Sequence, residues 1–410
     1  MINNKKISKF AISIIEELQN NNFQGYLVGG CVRDLLCNLN PKDFDIATDA
    51  RPEQVRKIFK ASRIIGKRFK LVHVFNRSEL IEVATFRSGD TTLNDGELIK
   101  DDSGKIIRDN TWGDLDQDTL RRDFTVNALY YCPISKKIVG HQNGIKDVHK
   151  KNIVSIGNPK LRFAEDPVRS LRAIRFSNKL NFKIDKEVKD AIYEKGHLLS
   201  NISNARIFDE FCKIFLYGIA EKNFNKLSTF DLYKFLVANE PDNNNFTRKL
   251  IKEVLRNTDK RYRNNMSVTP GFLIAALLWP ELLNKCLIGG EINLKKFFRS
   301  MDPVLRKQQK ITAIPRKFNS YIKDIWILQL KLHSRIGKQP YKTLRHPRFR
   351  PAFDFMLIRE KSSGKKRNLG KWWTSFQNND DNKRKLLIDS LKQKGQHESF
   401  KTFGFSDELR

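Results

Sequence analysis

Lys42-Asp43-Phe44-Asp45-Ile46 carries two carboxylates one residue apart. On a β-strand alternate side chains share a face, so Asp43 and Asp45 would stand together while Phe44 and Ile46 pack behind them. Adjacent carboxylates repel unless a cation lies between them, and carboxylate oxygens suit Mg²⁺. Two such ions, with Mn²⁺ as a substitute, lower the pKa of an attacking hydroxyl and stabilise a leaving pyrophosphate. Glu82, the one charge in Leu80-Ile81-Glu82-Val83-Ala84, is either a third carboxylate on the metal side or an edge residue facing water. An Asp-x-Asp pair taken singly is often only a solvated strand edge. Upstream, however, stands Gly29-Gly30-Cys31-Val32-Arg33-Asp34. A glycine pair between strand and helix lets backbone N–H groups approach a phosphate, and the helix start adds positive potential. Arg33 would project toward the same anion. The two features together are much rarer than either alone.

Two arginine-bearing segments follow. In Arg121-Arg122-Asp123-Phe124-Thr125-Val126-Asn127-Ala128-Leu129 we expect a helix start with Val126 and Leu129 facing inward. Arg122 could pair with a triphosphate and Asp123 with a ribose hydroxyl; the plainer alternative is a salt bridge at a helix end. In Glu165-Asp166-Pro167-Val168-Arg169-Ser170-Leu171-Arg172-Ala173-Ile174-Arg175 the arginines recur every third residue and share a helical stripe. Asp166 and Glu165 could fix the guanidinium forks, and a rigid planar fork reads a base edge well. A solvated basic face is the other possibility.

The elements that must position these residues are legible around them. Phe10, Ile14, Ile15 and Leu18 share a face, which predicts a helix over 8–19. Tyr26-Leu27-Val28 reads as a buried strand, 44–47 as a second, and 71–75 and 80–86 as two more. Thr48 or Asp49 is the expected N-cap of a helix through Val55 and Phe59, with Pro52 in its first turn. Strands alternating with helices over the first 90 residues predict an α/β domain. Residues 87–117, rich in Asp, Gly, Thr and Asn, are a loop over an active site or an inert insertion. Helix is expected at Leu120 to Tyr131, and mostly helix from Phe163 to about residue 300.

The chain of 410 residues has 77 Lys and Arg against 46 Asp and Glu, a formal net charge of +31. A field of that sign favours a polyanion, either nucleic acid or an anionic membrane surface. Residues 301–410 hold 26 basic and 10 acidic side chains, about half of the net charge. Arg345, Arg348 and Arg350, with Lys365, Lys366 and Arg367, form the basic runs there and are the candidate nucleic-acid contacts. Trp372 and Trp373 nearby are either stacking platforms or core. Five scattered cysteines without a Cys-x-x-Cys pair exclude a disulfide framework and point to a reducing, cytoplasmic setting. No signal peptide or transmembrane run is visible.

Taken together and in this order, Leu27 to Asp34, Asp43 to Thr48, Arg121 to Leu129 and Glu165 to Arg172 resemble the class II tRNA nucleotidyltransferase and bacterial poly(A) polymerase family, of the polymerase β-like superfamily. The resemblance implies an α/β nucleotidyltransferase head followed by all-α neck, body and basic C-terminal domains, which we divide at 1–135, 136–210, 211–320 and 321–410. It implies that Asp43 and Asp45 hold two Mg²⁺ ions and that Asp123 joins them as a catalytic acid. Gly29, Gly30 and Arg33 would handle triphosphate and Arg122 the nucleotide. Asp166, Arg169 and Arg172 would read the base.

Three further segments, Ile65 to Val74, Arg122 to Tyr131 and His346 to Leu357, resemble the poly(A) polymerase branch. That branch implies transfer of AMP from ATP to RNA 3′ ends in RNA tailing and decay, with RNA-decay proteins as further candidate partners. A CCA-adding tRNA nucleotidyltransferase is the alternative activity. A catalytically silent RNA-binding protein of the same fold is the alternative of another class, and such a protein has no need of Asp43, Asp45 and Arg169.

Overall fold

Ser8 starts the first helix, α1 (Lys9–Asn20), by accepting the Ala11 N–H at 3.2 Å; of the expected apolar face Ile14, Ile15 and Leu18 are buried and Phe10 is half-buried, with Ala11 joining the buried side. In this computed structural model residues 2–66, 70–88, 98–100, 106–109, 111–141, 143–239, 245–288, 291–364 and 368–393 are described. Lys67, Arg68 and Phe69, most of 89–105, and Lys365, Lys366 and Arg367 lie outside them. The chain divides into two units, Met1–Lys195 and Gly196–Arg410.

In the first unit β1 (Gly25–Val28) runs into α2 (Gly30–Leu36), then β2 (Asp45–Thr48), α3 (Pro52–Ile58), β3 (Ser62–Ile65), β4 (Leu71–Phe75) and β5 (Leu80–Thr85). A hairpin of β6 (Leu98–Lys100) and β7 (Ile106–Asp109) lies within the polar segment read as a loop. Next come α4 (Leu115–Leu120), β8 (Leu129–Cys132), β9 (Lys137–Gly140), α5 (Gly144–Lys150), α6 (Pro159–Glu165), α7 (Val168–Leu180) and α8 (Lys186–Lys195). Seven strands form one sheet in the order β3-β4-β5-β2-β1-β8-β9. Within this sheet, among the described residues, only β2 and β5 pair in parallel, in a register that sets Asp45 beside Glu82.

Several expectations are corrected. Residues 120–131 are not one helix: after α4 the chain makes a 3-10 turn at Thr125–Asn127 and enters β8. The three-residue spacing of Val126 and Leu129 fits a helix, but Leu129 to Cys132 are all buried between β1 and β9, a position that favours a strand. The head does not stop at 135, because β8 and β9 pair from Leu129↔Gly140 to Cys132↔Lys137. The N-cap of α3 is Arg51, whose N–H is accepted by Gln54 at 2.8 Å, while Thr48 and Asp49 brace Ala50 and Gln24 instead. Strand β2 begins at Asp45, so Asp43 stands in the bend before it and not on the strand.

Among its described residues the second unit has no strand besides a two-residue pairing at Leu287–Ile288 with Glu291–Ile292, and is otherwise helices and their connections. Its helices are α9 (Asn204–Phe215), α10 (Ala220–Thr229), α11 (Asn245–Arg263), α12 (Pro270–Leu277), α13 (Trp279–Cys286), α14 (Leu294–Gln309), α15 (Lys317–His333), α16 (Gln339–Leu344), α17 (Phe349–Ser363), α18 (Leu369–Asn378) and α19 (Asp381–Gln393). Trp372 and Trp373 resolve as core: they pack with Phe349, Phe353, Phe376 and Ile388, and the Trp373 indole N–H donates to the Leu332 carbonyl at 2.7 Å. All five cysteines are free, and among the described residues no helix is long and apolar enough to cross a membrane.

Candidate active site

Gly29 ends β1 with φ 71°, a left-handed value that glycine adopts at little cost. A Cβ added there would lie 3.3 Å from the Arg122 guanidinium, so the turn and the Arg-Arg-Asp segment meet directly. Gly30 opens α2. Arg33, three residues on, does not project freely: it is 2% exposed, with Nε and Nη2 donating to Asp34 at 2.9 and 2.6 Å. Its Nη1 donates to the Asn127 side-chain oxygen.

Asn127 passes the connection on, since its amide donates to Asp123 at 3.1 Å. Asp123 is buried and also accepts the Phe124 N–H at 2.8 Å and Arg172 Nε at 2.7 Å. Burial alone would raise its carboxyl pKa, but Arg172 and the hydrogen bonds outweigh that and lower it. The chain of contacts Asp34, Arg33, Asn127, Asp123, Arg172 therefore ties α2, the turn before β8 and α7 together. The Phe176 ring sits beneath it, with the guanidinium carbons of Arg33, Arg172 and Arg175 at 5.3, 5.3 and 4.4 Å from its centroid.

A second network holds Arg122. Asp118, 1% exposed on α4, accepts from Arg122 at 2.9 and 3.1 Å, from Arg121 at 2.6 and 2.9 Å, and from the Tyr130 hydroxyl. Burial pushes this carboxyl up, yet Arg122 and then Arg121 more than offset it and leave the pKa at about 2. The Arg122 guanidinium also lies over the Tyr130 ring at 5.1 Å. Sequence reading missed Asp118, one of three acids alternating in Asp114-Leu115-Asp116-Gln117-Asp118. Only its burial and its partner on β8 single it out.

Arg169 donates to the Arg122 carbonyl at 3.1 Å and the Arg121 carbonyl at 3.4 Å. Arg162, also missed, donates to the same two carbonyls at 3.1 and 2.8 Å and reaches Glu165 at 2.9 Å. Asp166 accepts the Val168 N–H at 3.2 Å, which fixes the entry to α7. Base-reading candidates and triphosphate candidates are thus brought together through main-chain contacts.

At the start of β2 Asp45 is open to solvent but crowded. Loss of hydration, then the charges of Glu82 and Asp43, raise its carboxyl pKa to about 6 against the pull of Arg122. Glu82 is half exposed and lies 3.3 Å from His73. Among the described residues no three His, Cys, Asp or Glu side chains form a ready-made cage. Mg²⁺ commonly keeps several waters and takes one or two carboxylates plus substrate phosphates, so an open acidic cluster of hard oxygens fits it. In the second unit Arg345, Arg348 and Arg350 are exposed. Arg350 pairs with Asp354 at 3.1 Å.

Residues 25–154 match the family model "Poly A polymerase head domain", 181–242 match "Probable RNA and SrmB- binding site of polymerase A", and 289–402 match "Polymerase A arginine-rich C-terminus". Poly(A) polymerase I of Haemophilus influenzae is 38% identical over 399 residues, covering 94% of this chain and 88% of that one. The CCA-adding enzyme of Bacillus pumilus is 31% identical over 368 residues, covering 87% and 88%. Among solved structures, the Bacillus stearothermophilus CCA-adding enzyme in complex with CTP superposes with a TM-score of 0.59 at 25% identity, covering 93% of this chain and 82% of that one.

Proposed function

We propose, on the premise that this chain belongs to the bacterial poly(A) polymerase family of nucleotidyltransferases, that it extends RNA 3′ ends with AMP from ATP and releases pyrophosphate. The observation that carries the choice of ATP and RNA tailing is similarity over 94% of the chain to a poly(A) polymerase, including an arginine-rich C-terminus. The fold shared with the CCA-adding enzymes keeps that activity as the second reading.

In the proposed mechanism Asp43 and Asp45, with Glu82 beside them, would hold divalent metal. Bound there, a Mg²⁺ pair supplies activation of the RNA 3′-hydroxyl and neutralisation of the leaving pyrophosphate. The chain's own residues do the positioning. Gly29 leaves room for a phosphate beside the backbone and Arg122, and Asp118 and Tyr130 aim Arg122 at it. Arg33 acts from within, holding Asn127 and through it Asp123 near the nucleotide sugar. Arg172, fixed by Asp123, and Arg169, fixed by carbonyls, present guanidinium forks to the base. A fork held on both sides favours one fixed base preference, which is what repeated AMP addition needs. Arg345, Arg348, Arg350 and Lys365 to Arg367 would meet RNA phosphates, in a cytoplasmic protein whose tails mark RNA for decay.

The test is incubation of purified protein with an unstructured RNA and each nucleoside triphosphate singly. Long, heterogeneous A tails with ATP alone and at most single additions with CTP are expected. Efficient CTP incorporation confined to tRNA lacking its terminal trinucleotide would move the assignment to CCA addition.

A further inference from the structure

Within the second unit a cavity of about 280 Å³ opens between α11, the start of α12, α15 and the start of α17. That volume is near the lower end of small-molecule pockets, roughly 300 Å³. Three arginines line it, Arg261, Arg348 and Arg350, against one acid, Asp354. Asp354 is shared: it lies 3.4 Å from Arg261 and 3.1 Å from Arg350. Arg348 has no carboxylate partner among the described residues, and its guanidinium carbon lies over the Tyr321 ring at 4.8 Å from the centroid. The lining therefore carries surplus positive charge set against an aromatic face. Asn257 adds a third chemistry. It too lines the cavity, and its side-chain oxygen is buried without a hydrogen-bond donor from the protein. A buried acceptor left unpaired costs free energy, so the site favours a ligand that brings a donor.

Cation, aromatic face and amide acceptor together match one kind of ligand: a phosphate joined to a planar base whose edge carries N–H groups. Bases stack on aromatic side chains whatever their sequence, and arginine forks take phosphate oxygens. We propose that this cavity holds one nucleotide of a single RNA strand, with its phosphate on Arg348, its base against Tyr321 and a base N–H on Asn257. It rests on the RNA-extending function above and makes the cavity a discrete grip on the strand within a broadly basic unit.

Binding of a labelled, 3′-deoxy-terminated single-stranded RNA to the full chain, followed by fluorescence anisotropy without ATP, tests this. Asn257→Leu keeps the side chain's size but removes the acceptor, and it should weaken binding by roughly fivefold. Arg348→Ala should weaken binding and reduce the salt slope by roughly 0.7, one single-strand phosphate contact. Arg345→Ala, outside the cavity, should weaken binding less than Arg348→Ala. Equal effects of Arg345→Ala and Arg348→Ala would overturn the inference and leave only a diffuse basic surface. So would variants that alter binding of free AMP and leave RNA binding unchanged, because the occupant would then be a mononucleotide. If Asn257→Leu does not fold, Arg348→Ala, on an exposed side chain, decides alone. AMP incorporation by the unaltered chain is a separate measurement, so failure of the proposed function and failure of this grip are distinguishable.

Discussion

Asp118→Asn isolates the carboxylate that holds Arg121, Arg122 and Tyr130 without changing its size. In the fold its pKa falls from the ordinary carboxylate value of 3.8 to about 2. At roughly 1.4 kcal/mol per pKa unit, this corresponds to about 2 kcal/mol of stability in the first unit. Because the folded value is depressed, the contribution is present above the unfolded value of about 3.8 and is lost as pH falls through about 2. At pH 3 about 1 kcal/mol of it should already be gone. The variant has no charge to titrate there, so its deficit should be about 2 kcal/mol at pH 7 and about half that at pH 3. Hydrogen exchange in peptides from α4 and β8, read against urea, reports this unit separately from the helical one. The same change should raise KM for ATP, since Arg122 loses its anchor. A deficit independent of pH, or none at pH 7, would refute the assignment of Asp118 as the charge that fixes Arg122.

Asp43→Ala and Asp45→Ala should each abolish nucleotide addition while leaving thermal unfolding of the head almost unchanged, because both side chains are exposed; full activity in either shows the pair to be a bystander. Gly29→Ala forces φ 71° on a residue with a Cβ and crowds Arg122 at 3.3 Å. Stability should fall by about 1–3 kcal/mol, with a rise in KM for ATP. Arg169→Ala should lose about 1–3 kcal/mol of discrimination between ATP and CTP, measured as the ratio of kcat/KM values, the scale of a lost bidentate base contact.

The α/β start of the chain was readable because its apolar residues keep a period: α1 shows one helical face, and β1, β4 and β5 are short Val-, Leu- and Ile-rich runs. Strand β3 was missed, since Ser62-Arg63-Ile64-Ile65 neither alternates nor stays apolar. Strand β8 reads as helix from the spacing of Val126 and Leu129, although the aromatic pair Tyr130-Tyr131 favours a strand. The residues proposed to touch substrate were visible as motifs. Those that hold them were not: Asp118 finds Tyr130 twelve positions away, and Arg162 finds carbonyls some forty positions back. Such partners are set by tertiary approach, which no local pattern encodes. In the basic tail Trp372 and Trp373 admit both readings on sequence alone, stacking platform or core, and only their burial against Phe349, Phe353 and Phe376 decides for core.

The Phe176 ring and the arginines around it say where a chain of this kind can be cut or spliced. A fragment ending with the head at residue 154 would keep Asp123 and Arg33 but discard Arg172 and the ring. Two buried charges would lose part of their surroundings, a change that is strongly destabilising when a partner of a buried pair is removed. A cut after Lys195, where the first unit ends, leaves every member of the network in one piece. Exchange of helical units between related chains therefore has a natural seam there. Shuffling at the edge of the sheet would instead separate Asp123 and Arg33 from Arg172 and the Phe176 ring.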